Sequence, residues 1–208
     1  MATKYIVNNV SGQTIDGNLT INGDVIITGT TNTRPYKVYT ALLTQIGGDN
    51  PLVINTGNLT IGVTYLINDT SIGMDFTNVG APNNNVGTYF VATGTTPNNW
   101  GGDEGSAPIL NYNTGAPTVI VLENTIGNVW FDYSNTGQYS VNSDSLFMSG
   151  KTYLSITDNI DIAGPSNFRI SYLYDSDASL DIITYNPVSD TGGNSRLANT
   201  SMEIRVYN

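Results

Sequence analysis

Three aspartates lie within seven consecutive residues of this chain: Asp175, Asp177 and Asp181. Calcium-binding loops space their oxygen ligands in this way, because a hard cation needs several carboxylate and carbonyl oxygens that converge on it. A loop of the EF-hand type also requires Gly at its sixth position and Glu at its twelfth, where this chain has Leu180 and Asn186. The three aspartates are candidate calcium ligands, although the sequence favours an acidic hairpin turn here. Asp158 and Asp161 form a second candidate pair on the same grounds.

Two carboxylates that face each other could hydrolyse a glycosidic bond. The chain has three glutamates for such a role: Glu104, Glu123 and Glu203. Glu104 lies in a glycine-rich loop, whereas the other two lie in strand patterns, on faces that we expect to meet solvent. No general acid and base can be paired from these positions, so the sequence predicts a protein without enzymatic activity.

Aromatic rings beside Asn and Thr can bind sugars, because a ring packs against the sugar face while amides bind hydroxyl groups. Trp100, which lies in a long loop, and Tyr112 are the predicted glycan contacts, with Trp130 and Tyr133 as further rings. Trp130 precedes Phe131 in a strand, so one of the two faces inward, and core packing is the interpretation favoured for Trp130. For Trp100, the loop position is as consistent with exposure or a subunit contact as with burial.

The chain contains no His and no Cys among its 208 residues. Catalytic triads and most proton shuttles at neutral pH need His. Zinc, copper, haem and iron–sulfur sites are normally built from His and Cys, and thiol nucleophiles and disulfides require Cys. The sequence therefore predicts no cofactor, apart from the calcium considered above.

The composition is polar but poor in charge. Charged residues make up 12% of the chain, against about 25% in an average domain. The formal net charge is −10 and the seven Lys and Arg are scattered, so we expect no nucleic-acid partner. The N-terminus has no apolar leader region and no run of about 18 apolar residues occurs, so we expect synthesis in a host cytoplasm without an export signal, and no membrane partner.

Strand patterns dominate the chain from residue 35 onward. They cover residues 60–67, 88–93, 119–124 and 202–207, and two hairpins, 129–133 with 138–141 and 168–174 with 180–185. Short strands at spacings of about 8–12 residues are typical of a sandwich, jelly roll or barrel. Residues 38–45 are the best helix candidate, although they are rich in β-branched residues. The sequence predicts an all-β body, a β-sandwich or jelly roll, over residues 35–208.

A thin repetitive segment precedes this body. Residues 17–31 contain two short apolar stretches separated by an Asn-Gly turn signal, with these apolar positions: Leu19, Ile21, Val25 and Ile27. Strands this short cannot form a core within one chain, so we expect copies from several chains to bury these side chains together. A polar stretch that ends at Pro35 marks the boundary, which divides the chain into residues 1–34 and 35–208.

The first sixteen residues carry apolar side chains and few charges: Tyr5, Ile6, Val7 and Val10. An extended segment of this kind could add a strand to an exposed sheet edge of a partner, with main-chain hydrogen bonds that give affinity. The alternative is that it forms the first strand of the protein's own body.

Residues 17–31 read Gly-Asn-Leu-Thr-Ile-Asn-Gly-Asp-Val-Ile-Ile-Thr-Gly-Thr-Thr. This segment resembles the repeat of trimeric bacteriophage appendages such as tail fibres and head fibres, and residues 87–101 are also similar to phage structural proteins. The resemblance implies a homotrimer that is docked on the virion at one end, through capsid or tail proteins, and exposed at the other. It implies no catalytic residues.

The function expected from these observations is that of a non-enzymatic virion structural protein, a phage fibre or decoration protein that docks by its N-terminus. A module that binds a carbohydrate or receptor on the host surface is the alternative, and both roles could reside in one molecule. A bacterial extracellular filament or adhesin subunit is a third possibility.

Overall fold

The computed structural model describes residues 34–69, 71–102, 109–157, 168–189 and 191–208, and one compact unit comprises Arg34–Asn208. Several candidates named above lie outside the described residues: Tyr5, Ile6, Val7, Val10, Leu19, Ile21, Val25, Ile27, Glu104, Asp158 and Asp161. The proposed roles of residues 1–33 in docking and assembly therefore stay predictions.

The described part of the chain folds into β-strands and one 3-10 helix, Thr77–Val79. The strands in chain order are β1 (Tyr36–Thr44), β2 (Pro51–Ile54), β3 (Thr64–Ile67), β4 (Tyr89–Val91), β5 (Leu110–Asn113), β6 (Thr118–Asn124), β7 (Val129–Asn135), β8 (Gln138–Ser143), β9 (Thr152–Ile156), β10 (Arg169–Ser176), β11 (Ser179–Asn186), β12 (Thr191–Gly192) and β13 (Thr200–Tyr207). The predicted all-β body is confirmed.

Two antiparallel sheets pack face to face as a sandwich. One sheet has the strand order β6-β1-β13-β9, and the other has the order β10-β11-β8-β7 with β12 paired to β11. Alternate side chains of both sheets point into one core, which includes Leu43, Phe131, Tyr139, Ile182, Met202 and Ile204. The period-2 pattern that predicted strands therefore also selects the side chains that form the core.

A third sheet, here called the small sheet, is inserted in sequence between β1 and β6. Its strand order is β2-β5-β3-β4. It has its own core, formed by its strands together with the loops around the 3-10 helix, and this core includes Leu59, Tyr65, Ile67, Phe76, Phe90 and Leu110. The body therefore has two hydrophobic cores, and their junction is a place where a cleft can form.

The helix candidate at residues 38–45 was wrong, because these residues form most of β1. Its side chains alternate, with Tyr39, Ala41 and Leu43 in the core. β1 pairs with β13 on one side and with β6 on the other. A strand with partners on both edges satisfies most of its backbone hydrogen-bonding groups, so sheet pairing overrides a weak helical preference.

Both predicted hairpins are present. β7 pairs with β8, and β10 pairs with β11. Gly137, in the turn between β7 and β8, has a φ of 72°, and a Cβ atom at this position would lie 2.4 Å from the carbonyl oxygen of Thr184. Only glycine fits this turn, because it tolerates the positive φ and allows the neighbouring backbone to approach.

Candidate functional site

A cleft of about 150 Å³ lies where the small sheet meets β7. Its apolar lining is formed by Leu66 and Phe131, with Pro51 and Ala116. Its polar lining comes from four different strands and consists of Thr64, Tyr89, Asn111, Tyr112, Asn113 and Asp132. Convergence of aromatic, amide and carboxylate groups in one concave place is the usual character of a small-molecule site.

Three contacts hold the small sheet against β7. The backbone N–H of Phe131 donates to Thr64 Oγ1 at 3.1 Å. Asn128 Nδ2 donates to the carbonyl oxygen of Tyr89 at 3.0 Å, and the ring of Tyr89 stacks on Trp130. Since β7 is the outer strand of its sheet among the described residues, the small sheet covers an edge that would otherwise be unpaired.

The strand β7 places Asp132 in the cleft by simple alternation. Phe131 points into the sandwich core and is fully buried, so Trp130 and Asp132 point to the opposite face. The interpretation favoured from the sequence, core packing of Trp130, holds in part: Trp130 is not one of the fully buried core residues, but it packs against the sandwich core. Trp130 is half-buried and stacks against Tyr89, since the small sheet supplies an apolar surface on the outer face that local sequence does not reveal.

Asp132 is held in the cleft without a hydrogen-bonding partner among the described residues. Burial raises the pKa of this carboxyl above its ordinary value, because desolvation disfavours the charged form. The pKa of Tyr89 is raised as well, first by burial and then by the negative charge of Asp132. Within the part of the chain that the structure describes, the cleft therefore contains a carboxylate that no cation or hydrogen-bond donor pairs with.

Asn111 and Asn113 lie on β5 and differ in their hydrogen bonding. Asn113 is fully engaged, since its Oδ1 accepts from the N–H groups of Asn50 and Gly115 and its Nδ2 donates to Asp49. Asn111 Oδ1, in contrast, is buried and accepts no hydrogen bond. Buried polar atoms without a partner are rare in native proteins, and each one needs an explanation.

The structure separates the two predicted glycan contacts. Tyr112 lines the cleft, where its ring lies 5.2 Å from that of Tyr65. Trp100 is not among the cleft-lining residues. Its indole N–H donates to the carbonyl oxygen of Gly57 at 3.1 Å, and its ring meets Phe76 edge-on in the core of the small sheet. Asp132, Asn111 and Tyr89 were missed, because no short motif connects residues that far apart in sequence.

The acidic segment forms the hairpin turn that the sequence favoured. Asp175 lies at the end of β10 and Asp181 lies on β11. Asp177, in the turn, accepts hydrogen bonds from the Tyr174 hydroxyl and the Ser149 N–H, whereas Asp181 accepts from Ser140 Oγ at 3.4 Å. The structure does not bring these carboxylates together, and no group of three or more His, Cys, Asp or Glu within the described ranges is arranged to hold a metal ion.

Glu123 and Glu203 lie on either side of Thr40, on the two strands that pair with β1. Each is bound by an arginine: Arg34 reaches Glu123 at 2.7 Å, and Arg205 reaches Glu203. Glu123 therefore pairs with a residue just before β1, whereas Glu203 pairs with a residue two positions along its own strand, β13.

A second cavity, of about 380 Å³, lies between β6 and β4 and is lined by Tyr39, Asn124 and Asn128. The hydroxyl of Tyr39 is buried without a partner, and burial raises the pKa of this phenol. The two amides are already engaged with the carbonyl oxygens of Gly127 and Tyr89. Unlike the cleft, this cavity has no carboxylate among its described lining residues.

One strand exposes an apolar surface, here called the β6 patch, which consists of Ile120, Val121 and Leu122. These side chains are 54%, 39% and 61% exposed. β6 is an outer strand of its sheet in the described part of the chain, and its pairing with β1 shifts register by one residue at this patch. Three adjacent exposed apolar side chains on an outer strand are typical of an interaction surface.

The described residues contain no helix with the length and hydrophobicity that crossing a bilayer requires. Comparison of the chain with protein-family models, with curated proteins and with solved structures finds no match.

Proposed function

We propose that this protein is a non-enzymatic structural component of a bacteriophage particle, a homotrimeric fibre or decoration protein that docks by its N-terminus and projects the β body. The observation that carries the proposal is the β6 patch, an uncovered apolar edge on a body that follows a repeat resembling those of trimeric virion appendages.

The β6 patch fits a second copy of the same chain. The body begins at this edge, because Arg34, the first described residue, is paired with Glu123 near the end of β6. The register shift interrupts the regular ladder, so we expect copies to meet through packed side chains rather than through a continuous intermolecular sheet. Burial of these side chains from several copies stabilises the assembly through the hydrophobic effect.

Measurement of mass in solution tests the assembly. The full chain is expected to be a trimer at micromolar concentration, and the double variant Ile120→Lys, Leu122→Lys is expected to shift toward the monomer. Val188→Lys is the control, because Val188 is apolar, is 80% exposed and lies in the turn after β11, a strand of the other sheet. A monomeric full chain, or a double variant that assembles like the control, contradicts the proposal.

Particle incorporation tests the location and polarity. Ile6→Asp with Val7→Asp is expected to abolish incorporation into virions while residues 35–208 stay folded, and a label on the C-terminus is expected on the particle's outer surface. Normal incorporation of this variant, or absence of the protein from purified particles, contradicts the proposed role.

A carbohydrate- or receptor-binding module is the second candidate function. The observation that favours it is the cleft, where Asn111, whose amide oxygen is buried without a partner, and Asp132, which has none among the described residues, lie beside aromatic rings. A structural role alone gives no reason for these unpaired acceptors.

A further inference from the structure

We propose that the cleft between the small sheet and β7 binds one hydroxylated sugar ring of a glycan, with Asn111 Oδ1 and the Asp132 carboxylate as acceptors for its hydroxyl groups and with Tyr89 and Tyr112 as apolar contacts. This inference goes beyond the structural role proposed above and does not depend on the oligomeric state.

The acceptors determine which chemical groups a ligand must carry. Asn111 Oδ1 is buried with no hydrogen bond, and Asp132 has no partner among the described residues. An amide oxygen and an ionised carboxylate can only accept hydrogen bonds, so the ligand must supply donors. A buried acceptor without a partner is unfavourable. Asn111 Oδ1 has almost no accessible surface, so the side chain must turn toward the cleft for a ligand donor to reach it, and a donor that does so recovers that free energy on binding.

The aromatic side chains supply the surface for the ring. Tyr89 is held by its stack on Trp130, and Tyr112 is held against Tyr65. Rings that are already immobilised lose little entropy on binding, so they form a pre-organised surface for the C–H face of a sugar. Leu66, Pro51 and Ala116 add to the apolar part of the lining.

The size and charge of the cleft argue against other ligands. The cleft volume of about 150 Å³ is below the range of about 300–1,000 Å³ that is usual for sites of drug-sized ligands. A single sugar ring therefore fits better than an extended ligand. The described residues that line the cleft include no Lys or Arg, and Asp132 repels phosphate or carboxylate groups. Asp132 is the one carboxylate among these described lining residues, whereas calcium prefers six to eight oxygen ligands at roughly 2.3–2.6 Å.

Titration of the full chain with methyl glycosides of glucose, galactose, mannose and N-acetylglucosamine tests the proposal by protein NMR. At least one glycoside is expected to bind with a Kd on the order of 1 mM, a common strength for a single small ring. The chemical-shift changes that this glycoside causes are expected at Asn111, Tyr112 and Asp132. The absence of binding by all four glycosides up to about 20 mM overturns the proposal, since a site of this kind would then be at least half occupied.

Two variants of the cleft extend the test, each with a fold check by thermal unfolding. Asp132→Asn and Asn111→Ala are each expected to weaken binding about tenfold or more. Asp175→Asn is the matched control, because it makes the same change on an exposed aspartate of β10. Unchanged affinity in both cleft variants overturns the proposal, as do shifts confined to residues outside the cleft.

The oligomeric state separates this proposal from the structural one. A monomeric chain that binds a glycoside supports the cleft and contradicts the trimer, whereas a trimer that binds none of the four supports the structural role alone.

Discussion

Tyr89 and Trp130 stack with nearly parallel rings, with 5.3 Å between the centroids and 6° between the planes. Tyr89 belongs to the small sheet and Trp130 to β7 of the sandwich, so this pair joins the two parts of the body. The same face of β7 carries Asp132 into the cleft. The contact that attaches the small sheet therefore also shapes the candidate site.

Replacement of Trp130 by Ala is expected to lower the free energy of unfolding by about 1–3 kcal/mol, because the ring is half-buried and its stack with Tyr89 is lost. Urea unfolding followed by far-UV circular dichroism measures the change. Trp130→Phe is the control. Because it keeps an aromatic ring, it is expected to lose less than half as much stability as Trp130→Ala. A loss below about 0.5 kcal/mol in the Ala variant would show that this pair does not hold the small sheet.

Removal of the Gln45 side chain is expected to be strongly destabilising. Gln45 is buried, its Nε2 donates to the carbonyl oxygens of Gly47 and Gly115, and its Oε1 accepts from the Tyr139 hydroxyl at 2.8 Å. Gln45→Ala removes these hydrogen bonds and leaves a cavity at a buried position, so we expect a loss of about 2–4 kcal/mol in chemical denaturation.

A double-mutant cycle tests whether Gln45 and Tyr139 act together. Tyr139→Phe removes only the hydroxyl and is expected to cost about 1–2 kcal/mol. The double variant is expected to lose less than the sum of the two single losses, since the two groups share a hydrogen bond. If the two single losses add strictly in the double variant, Gln45 and Tyr139 are not energetically coupled.

The stability contributed by Asp75 is expected to depend on pH. Hydrogen bonds from the Thr77 hydroxyl, from Asn98 and from the Thr77 N–H lower the pKa of this carboxyl. A carboxyl with a lowered folded-state pKa stabilises the fold above the unfolded pKa, and this contribution is lost as the pH falls through the folded value. Asp75→Asn is therefore expected to melt below wild type at pH 7.

Melting temperatures measured at acidic pH complete the test of Asp75. The difference in melting temperature between Asp75→Asn and wild type is expected to narrow below about pH 4, where the unfolded aspartate becomes protonated. Asp175→Asn, on the exposed part of β10, is expected to show no such trend. A difference that is constant from neutral to acidic pH would contradict the assignment.

At neutral pH, Asp132→Asn is expected to change the melting temperature in the direction opposite to that of Asp75→Asn. Burial raises the pKa of Asp132, so the ionised carboxylate destabilises the fold above that pKa, and the cost disappears below the unfolded value. The variant is expected to melt above wild type at pH 7 and close to it near about pH 3. Thermal scans across this range check the sign, and a variant less stable than wild type at pH 7 contradicts it.

Local patterns predicted the hairpins well. β7 with β8, and β10 with β11, have alternating side chains and turn residues within one short stretch of sequence. Glycine at position 137 is required by the turn itself. Signals of this kind need no distant partner, because a two-stranded element contains both its turn and its pairing.

The strand β1 shows where local patterns fail. Residues 38–45 were the best helix candidate, yet they form a strand between β6 and β13. Its partners lie roughly 80 and 160 residues further along the chain, and pairing on both edges determines the conformation. A window of eight residues contains no information about such partners.

By itself, the sequence determined the all-β class, the exclusion of histidine and cysteine chemistry, and the acidic hairpin, because composition and short-range alternation decide these. The tertiary structure alone decided that Trp130 stacks on Tyr89, that Trp100 and Tyr112 are separated, and that Asn111 and Asp132 line one cleft. The physical reason is that the cleft arises where two separate cores meet, and its residues converge only after strands distant in sequence have paired.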